Sequence, residues 1–255
     1  MHSPVMLSIV IPAYNEAENI PLVVADTIAT LDPTMKGRYE LLLVNDGSGD
    51  GTEDVVGEMA RRHACVRAFH HPKNMGLGEG LKTGYRSSRG EYVTFIPADG
   101  EVKADQALKL YRQLGGADMM TSSRLGYVVG DGIKKRSFYR GLLSVGFRTC
   151  IRMILGGDPQ KITGIYVVRG DIVRSLPLHS RTSLVTLEIY LHCVHSGARM
   201  KHGETTIHPR LSGVSKIANA SGALKQLWEM IKLRRQIRQH IHQTKTTTPP
   251  LRRAA

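Results

Sequence analysis

The chain has 255 residues, 41% of them hydrophobic, enough for one large α/β domain or two small ones around a buried core. Its 35 Lys and Arg outweigh 22 Asp and Glu by +13, which points to an anionic partner: nucleotide phosphates, lipid phosphates, an acidic membrane surface or nucleic acid. Cys65, Cys150 and Cys193 are too few and too scattered for a disulfide framework or a paired zinc site, and no run reaches the ~18–20 apolar residues that span a bilayer, so the expected protein is cytoplasmic and has no transmembrane segment.

Short apolar runs of strand length stand at residues 7–12 (LSIVIP), 39–44 (YELLLV), 66–70 and 91–96 (EYVTFI). Between them, residues 16–31, 51–62 and 76–89 have helical length and apolar positions three to four apart. That alternation predicts a mostly parallel sheet flanked by helices, with ligands at the carboxyl ends of the strands. A helix follows at 104–114 and a strand at 118–122; the basic, apolar stretch 134–155 suits one or two amphipathic helices. A strand at 163–168, a helix at 184–195, a strand at 200–207, a basic helix at 221–242 and a Thr-, Pro- and Arg-rich tail complete the pattern, with no internal repeat.

The glycines of GSGDG (Gly47, Gly49, Gly51) and GLGEG (Gly76, Gly78, Gly80) do not complete a dinucleotide fingerprint, and Lys82-Thr83 lacks the glycine that precedes a P-loop lysine. Carboxylates stand at the strand ends instead: Glu16 after the first, Asp46 after the second, Asp99 and Glu101 after the fourth. Helix capping is the plainer alternative for Asp46 and Asp99 taken singly. Together on one sheet edge, they suit a hard cation, Mg²⁺ or Mn²⁺, that neutralises a leaving nucleoside diphosphate.

SIVIPAYNEAENI, LLLVNDGSGDGT, NMGLGEGLKTGY and FIPADGE, in this order, resemble the family 2 glycosyltransferases, in particular the dolichol-phosphate mannose synthase and polyprenyl-phosphate glycosyltransferase group. Later segments extend the likeness to Lys216: SSR ending at Arg124, FYRGLLS at 138–144, Asp158-Pro159 with Thr163-Gly164, and RLSGVSK at 210–216. The resemblance implies the A-type nucleotide-diphospho-sugar transferase fold over residues 1–218, with a donor half to about 122 and an acceptor-side half from 123. It also implies an inverting transfer of a hexose from GDP-mannose or a UDP-hexose to a polyprenyl phosphate. Pro12, Tyr14, Glu16 and Asp46 would bind the nucleotide, with Asp99 at the metal and diphosphate. Arg124, Arg140 and Ser144 would hold the acceptor phosphate, and Arg210 and Lys216 belong to a loop that closes over the phosphates. Asp99, Arg124, Arg210 and Lys216 form the implied catalytic set.

The sequence departs from the family at Pro97, which stands where the first Asp of Asp-x-Asp is usual, and at Glu101, which takes the place of a Gln. Glu101 restores the lost charge, so Asp99 and Glu101 become the expected metal pair. A phosphate acceptor is already ionised and needs no general base; a hydroxyl acceptor would, and Asp158 and Glu188 are the carboxylates weighed for it, each with a structural role as the plainer alternative. His192 and His195, at i,i+3, lack a third ligand and are expected to be structural. Basic and apolar residues interleave at 134–155, and again at 219–243, where Leu224, Leu227, Trp228 and Ile231 accompany Lys225, Lys232, Arg234, Arg235 and Arg238. Both stretches suit an anionic membrane surface; the second equally suits a docking helix or a contact in a homo-oligomer. A tail from 244 to 255 is expected to be disordered. With 5% aromatic residues and no nucleic-acid motif, a nucleic-acid partner is not expected. Transfer to a hydroxyl and nucleotide-sugar binding without turnover remain the alternatives.

Overall fold

The computed structural model describes residues 4–129, 132–134, 149, 164–210, 229–237 and 239, with backbone only at 124–129 and 132–134. In chain order these form β1 (Leu7–Ala13), α1 (Ile20–Met35), β2 (Tyr39–Asn45), α2 (Thr52–Arg62), β3 (Val66–His70), α3 (Leu77–Ser87), β4 (Tyr92–Phe95) and α4 (Ala104–Gln113). There follow β5 (Met119–Val129), β6 (Gly132–Lys134), β7 (Val167–Arg169), α5 (Gly170–Ser175), α6 (Leu184–His195) and β8 (Met200–Ile207). Residues 229–237 are helical and are called α7 below.

One eight-stranded sheet runs β3-β2-β1-β4-β7-β5-β6, with β8 on β5. Every residue of β2 is buried, and β1 is buried at all positions but one. Successive side chains point to opposite faces, so both faces of these strands are covered, which is why their sequences are continuous apolar runs rather than alternating ones. Helix α3 presses closely on β1: a side-chain carbon at Gly84 would overlap Val10. Helix α1 starts at Ile20 rather than Glu16 and continues past the expected stop at Leu31, through Pro33, because Leu31 and Met35 both remain in the core.

The first four strands are parallel, as the alternation predicts. Beyond them the sheet is mixed: β7 lies antiparallel between β4 and β5, while β8 is parallel to β5. Short β6 and α5 carry no clear period and are absent from the sequence expectation. Most of the stretch 134–155 expected to be helical lies outside the described residues; within it, Lys134 ends a strand and Thr149 is helical. Cys65 and Cys193 are free thiols. No helix among the described residues is long and apolar enough to cross a membrane.

Helix α7 buries Met230, Leu233 and Ile237 against the core and exposes Ile231, Lys232 and Arg235. Its apolar seam therefore differs from the expected stripe at Ile231, whose other members, Leu224, Leu227 and Trp228, lie outside the described residues. The expected tail at 244–255 lies outside them as well.

Candidate functional site

Because β1, β2 and β4 are parallel, their carboxyl ends share one edge of the sheet. Pro12 sits in β1 opposite Val44, and the chain then turns sharply at Asn15, whose φ of 53° is left-handed, a conformation that residues other than glycine rarely adopt. Hydrogen bonds to the loop after β2 hold that turn. Gly49 N donates to Asn15 Oδ1 (3.0 Å), Asn15 N to Ser48 Oγ (2.9 Å), Glu16 N to Thr52 Oγ1 (2.9 Å) and Ala17 N to Asp50 Oδ2 (3.2 Å). Burial pushes the Asp50 carboxyl up, but hydrogen bonds from Thr52 and the Ala17 N–H outweigh it and hold the group below the usual carboxylate range. Tyr14 stands 37% exposed beside this lacing.

Asp46, only 4% exposed, faces a different way. Its Oδ1 accepts from Met75 N (2.9 Å) and lies 2.7 Å from His71 Nδ1, while its Oδ2 accepts from Gly76 N (2.9 Å). A proton on Nδ1 makes the Asp46 contact a hydrogen bond, and Nε2 of the same ring lies 2.9 Å from Thr83 Oγ1. Asp46 thus pins the loop between β3 and α3.

Asp99 and Glu101 converge on one cation. Arg210 Nη2 lies 3.0 Å from Asp99 Oδ2, and Arg210 Nε donates to Glu101 Oε1 at 2.8 Å. Glu101 N donates to Asp99 Oδ1 (3.0 Å), which folds the two carboxylates toward the same side, and His208 N donates to Glu101 O (2.8 Å), which clips the end of β8 to this loop. Burial works against the Arg210 charge, but Asp99, Glu101 and Glu16 more than offset it and hold its pKa above the ordinary value. Asp99, Glu101 and Arg210 are therefore brought together, with Glu16 near enough to favour the Arg210 charge and Asp46 set apart on its own loop. Neither Asp46 nor Asp99 caps a helix: the residues at the N-caps of α2 and α4 are Gly51 and Lys103.

Among the described residues no group of three or more His, Cys, Asp or Glu side chains forms a metal cage. Two convergent carboxylates nevertheless suit Mg²⁺ or Mn²⁺, which commonly take one or two carboxylates and complete their shell with substrate phosphates and water. The Arg210 guanidinium shows that a cation fits between this pair. Arg124 lies in β5, its side chain undescribed, opposite Thr205 of β8; Arg140, Ser144, Asp158 and Lys216 lie outside the described residues. Gly164 N donates to Ser122 O (2.9 Å), bringing Gly164 beside the strand that carries Arg124, while Thr163 lies outside the described residues.

Glu188 is wholly buried and accepts from His179 N (2.9 Å) and Ser180 N (3.0 Å), a structural role that engages both of its oxygens. His195 Nδ1 bonds Leu191 O (2.7 Å) within α6. A depression of about 620 Å³ beside β8, lined by Lys109, Gln113, Met120 and residues 201–204, has both its lysines bonded to backbone carbonyls. Sequence reasoning missed His71 and the segment 178–182. The glycines of GLGEG were the available signal: a side-chain carbon on Gly76 or Gly78 would stand 2.5 Å from a backbone oxygen of that segment.

The family model described as glycosyl transferase family 2 matches residues 8–173, about two thirds of the chain. The chain belongs to glycosyl transferase family 2. This family 2 chain is 27% identical over 243 residues to a dolichyl-phosphate beta-glucosyltransferase of Trichomonas vaginalis, covering 91% of this chain and 71% of that one. It is 28% identical to the dolichyl-phosphate beta-glucosyltransferase of Saccharomyces cerevisiae (90% and 74% covered). To the dolichol-phosphate mannosyltransferase of Pyrococcus furiosus it is 27% identical over 192 residues, with 72% and 52% covered. Among solved structures, glucosyl-3-phosphoglycerate synthase from Mycobacterium tuberculosis, in complex with Mn²⁺, UDP-glucose and phosphoglyceric acid, superposes with a TM-score of 0.63 at 20% identity, covering 90% of this chain and 79% of that one. The likeness establishes a shared A-type glycosyltransferase fold.

Proposed function

We propose that this glycosyltransferase moves a hexose from a nucleoside-diphosphate sugar, a UDP-hexose ahead of GDP-mannose, to a polyprenyl phosphate, with inversion at the anomeric carbon. The observation that carries the reading is the convergence of Asp99 and Glu101 on one cation at the carboxyl edge of the sheet, beside Glu16. Asp99 and Glu101 would hold Mg²⁺ or Mn²⁺, which neutralises the diphosphate as it leaves. Arg210 then turns from the carboxylates to the diphosphate and stabilises the same developing charge. The acceptor phosphate, already ionised, attacks the anomeric carbon as the bond to the diphosphate breaks; Arg124, Arg140, Ser144 and Lys216 are proposed to align it and need supply no base. The burial and occupied bonds of Glu188 support that base-free route.

Asp46 supports uridine. Of roughly four acceptor positions on a carboxylate, three are taken among the described residues, which leaves room for the single imide N–H of uracil rather than the paired donors of a guanine edge. The names of the glucosyltransferase relatives agree with a glucose donor without fixing it. The outward face of α7, with Ile231, Lys232 and Arg235, is proposed to lie against an anionic membrane that presents the lipid.

The full chain incubated with UDP-glucose or GDP-mannose, Mn²⁺ or Mg²⁺, and polyprenyl phosphate should yield an acid-labile lipid-linked sugar that chelation suppresses. Turnover only with hydroxyl acceptors, or undiminished turnover in EDTA, would sink the acceptor or the metal assignment respectively.

A further inference from the structure

Glu229 opens the described part of α7, yet both of its carboxylate oxygens serve a loop some fifty residues earlier. Oε1 accepts from Ser180 Oγ and Arg181 N, each at 3.0 Å, and Oε2 accepts from Thr182 Oγ1 at 2.7 Å. Glu188 takes two further amides of the same stretch, His179 N and Ser180 N, and Thr182 N donates to Ser180 Oγ at 3.2 Å. Two carboxylates from two helices thus fix residues 179–182.

That segment in turn bears on the loop before α3. Gly78 N donates to Arg181 O (2.9 Å), and the backbones touch so closely that a side-chain carbon at Gly76 would stand 2.5 Å from Arg181 O and one at Gly78 2.5 Å from Ser180 O. Gly76 also holds a φ of 96°, which favours glycine. On its other side the loop meets the turn after β2: a side-chain carbon on Gly47 would overlap the Lys73 backbone, and Met75 N and Gly76 N donate to Asp46. Residues 73–78 are a single layer of backbone gripped between Asp46-Gly47 and residues 180–182. The three glycines mark where the layers touch.

We propose that Glu229 is a positioning residue for donor binding, holding residues 180–182 so that the 73–78 loop keeps Asp46 oriented toward the nucleotide base. The inference rests on the reading that Asp46 contacts that base. Helix α7 thereby becomes part of the donor site without touching the donor, through a contiguous run of hydrogen bonds and backbone contacts.

The test uses the full chain as Glu229→Ala, Thr182→Val, Thr182→Ser and Asp46→Asn. Alanine keeps helix propensity, so Glu229→Ala removes the strap without weakening α7 intrinsically. In Glu229→Ala the Met75 and Gly76 amides should exchange with deuterium about tenfold faster, reporting local opening of the loop. UDP with Mn²⁺, measured by calorimetry, should bind about three- to tenfold more weakly, and donor KM should rise by that factor while kcat stays within about twofold. Thr182→Val should move the same way by less, with Thr182→Ser restoring the wild-type values; this pair carries the test should Glu229→Ala fail to fold. Wild-type exchange at Met75 and Gly76 in folded Glu229→Ala, or a fall in kcat with unchanged KM, would overturn the proposal. Faster exchange with UDP affinity unchanged in both Glu229→Ala and Asp46→Asn would overturn the placement of the base at Asp46, and the donor role with it, leaving only the mechanical link.

Discussion

The two carboxylate centres at the sheet edge are built on opposite plans. Asp46 is committed to its own protein: a histidine and two backbone amides hold it, and it in turn holds the loop before α3. Asp99 and Glu101 are bridged by a side-chain cation, Arg210, which a change of rotamer can withdraw. Under the proposed function, a fixed acceptor suits an unchanging base, whereas a centre proposed to bind and release a metal and a diphosphate needs a partner that can leave.

The largest expected effect breaks the exchangeable centre. Asp99→Ala should lower kcat by about a thousandfold or more, the scale on which lost charge stabilisation acts, and should weaken Mn²⁺ binding in equilibrium titrations. Arg210→Ala should separate the two tasks of that residue. Turnover should fall about a hundredfold through the lost diphosphate contact, while Mn²⁺ without nucleotide should bind about threefold more tightly because no guanidinium competes for the carboxylates; a parallel loss of both would contradict the exchange. At the fixed centre, Gly78→Ala should cost about 1–3 kcal/mol of stability in denaturant titrations, since the intruding carbon meets backbone that cannot turn aside.

The smallest effect lies at the base of the mixed half of the sheet. Asp118 accepts from Arg199 N (2.8 Å) and pairs with Arg169 and Arg199 where β5, β7 and β8 begin or end. Burial raises its pKa, but those partners outweigh burial and leave it lowered. A lowered pKa contributes stability that is present above the unfolded value of about 3.9 and is lost as pH falls through the folded value. Asp118→Asn should therefore flatten the fall of the urea midpoint between about pH 5 and 3.

The first four strands and their helices were legible because successive strand–helix units have local apolar periods: the ends of α2 and α4 fell within a residue or so of expectation. The mixed half was less so. β7 has three residues and pairs with strands some fifty and seventy-five positions away, a partnership that no local period encodes. At the site, Asp99 and Glu101 were singled out by their place at a strand end and by a resemblance, and the structure adds that both pair with Arg210. The commitment of Asp46 to residues 71–76 was hidden because backbone amides carry no sequence signature, and GLGEG looked like an incomplete cofactor motif rather than a spacing device between layers of backbone.

The clip between His208 N and Glu101 O has a kinetic consequence. It fixes the main chain two residues before Arg210, so movement of that guanidinium away from the carboxylates is a rotamer change on a short tether. Such rearrangements relax in nanoseconds, whereas loop and domain closures commonly take microseconds to milliseconds. Withdrawal of the guanidinium from the two carboxylates can then run far ahead of any loop closure.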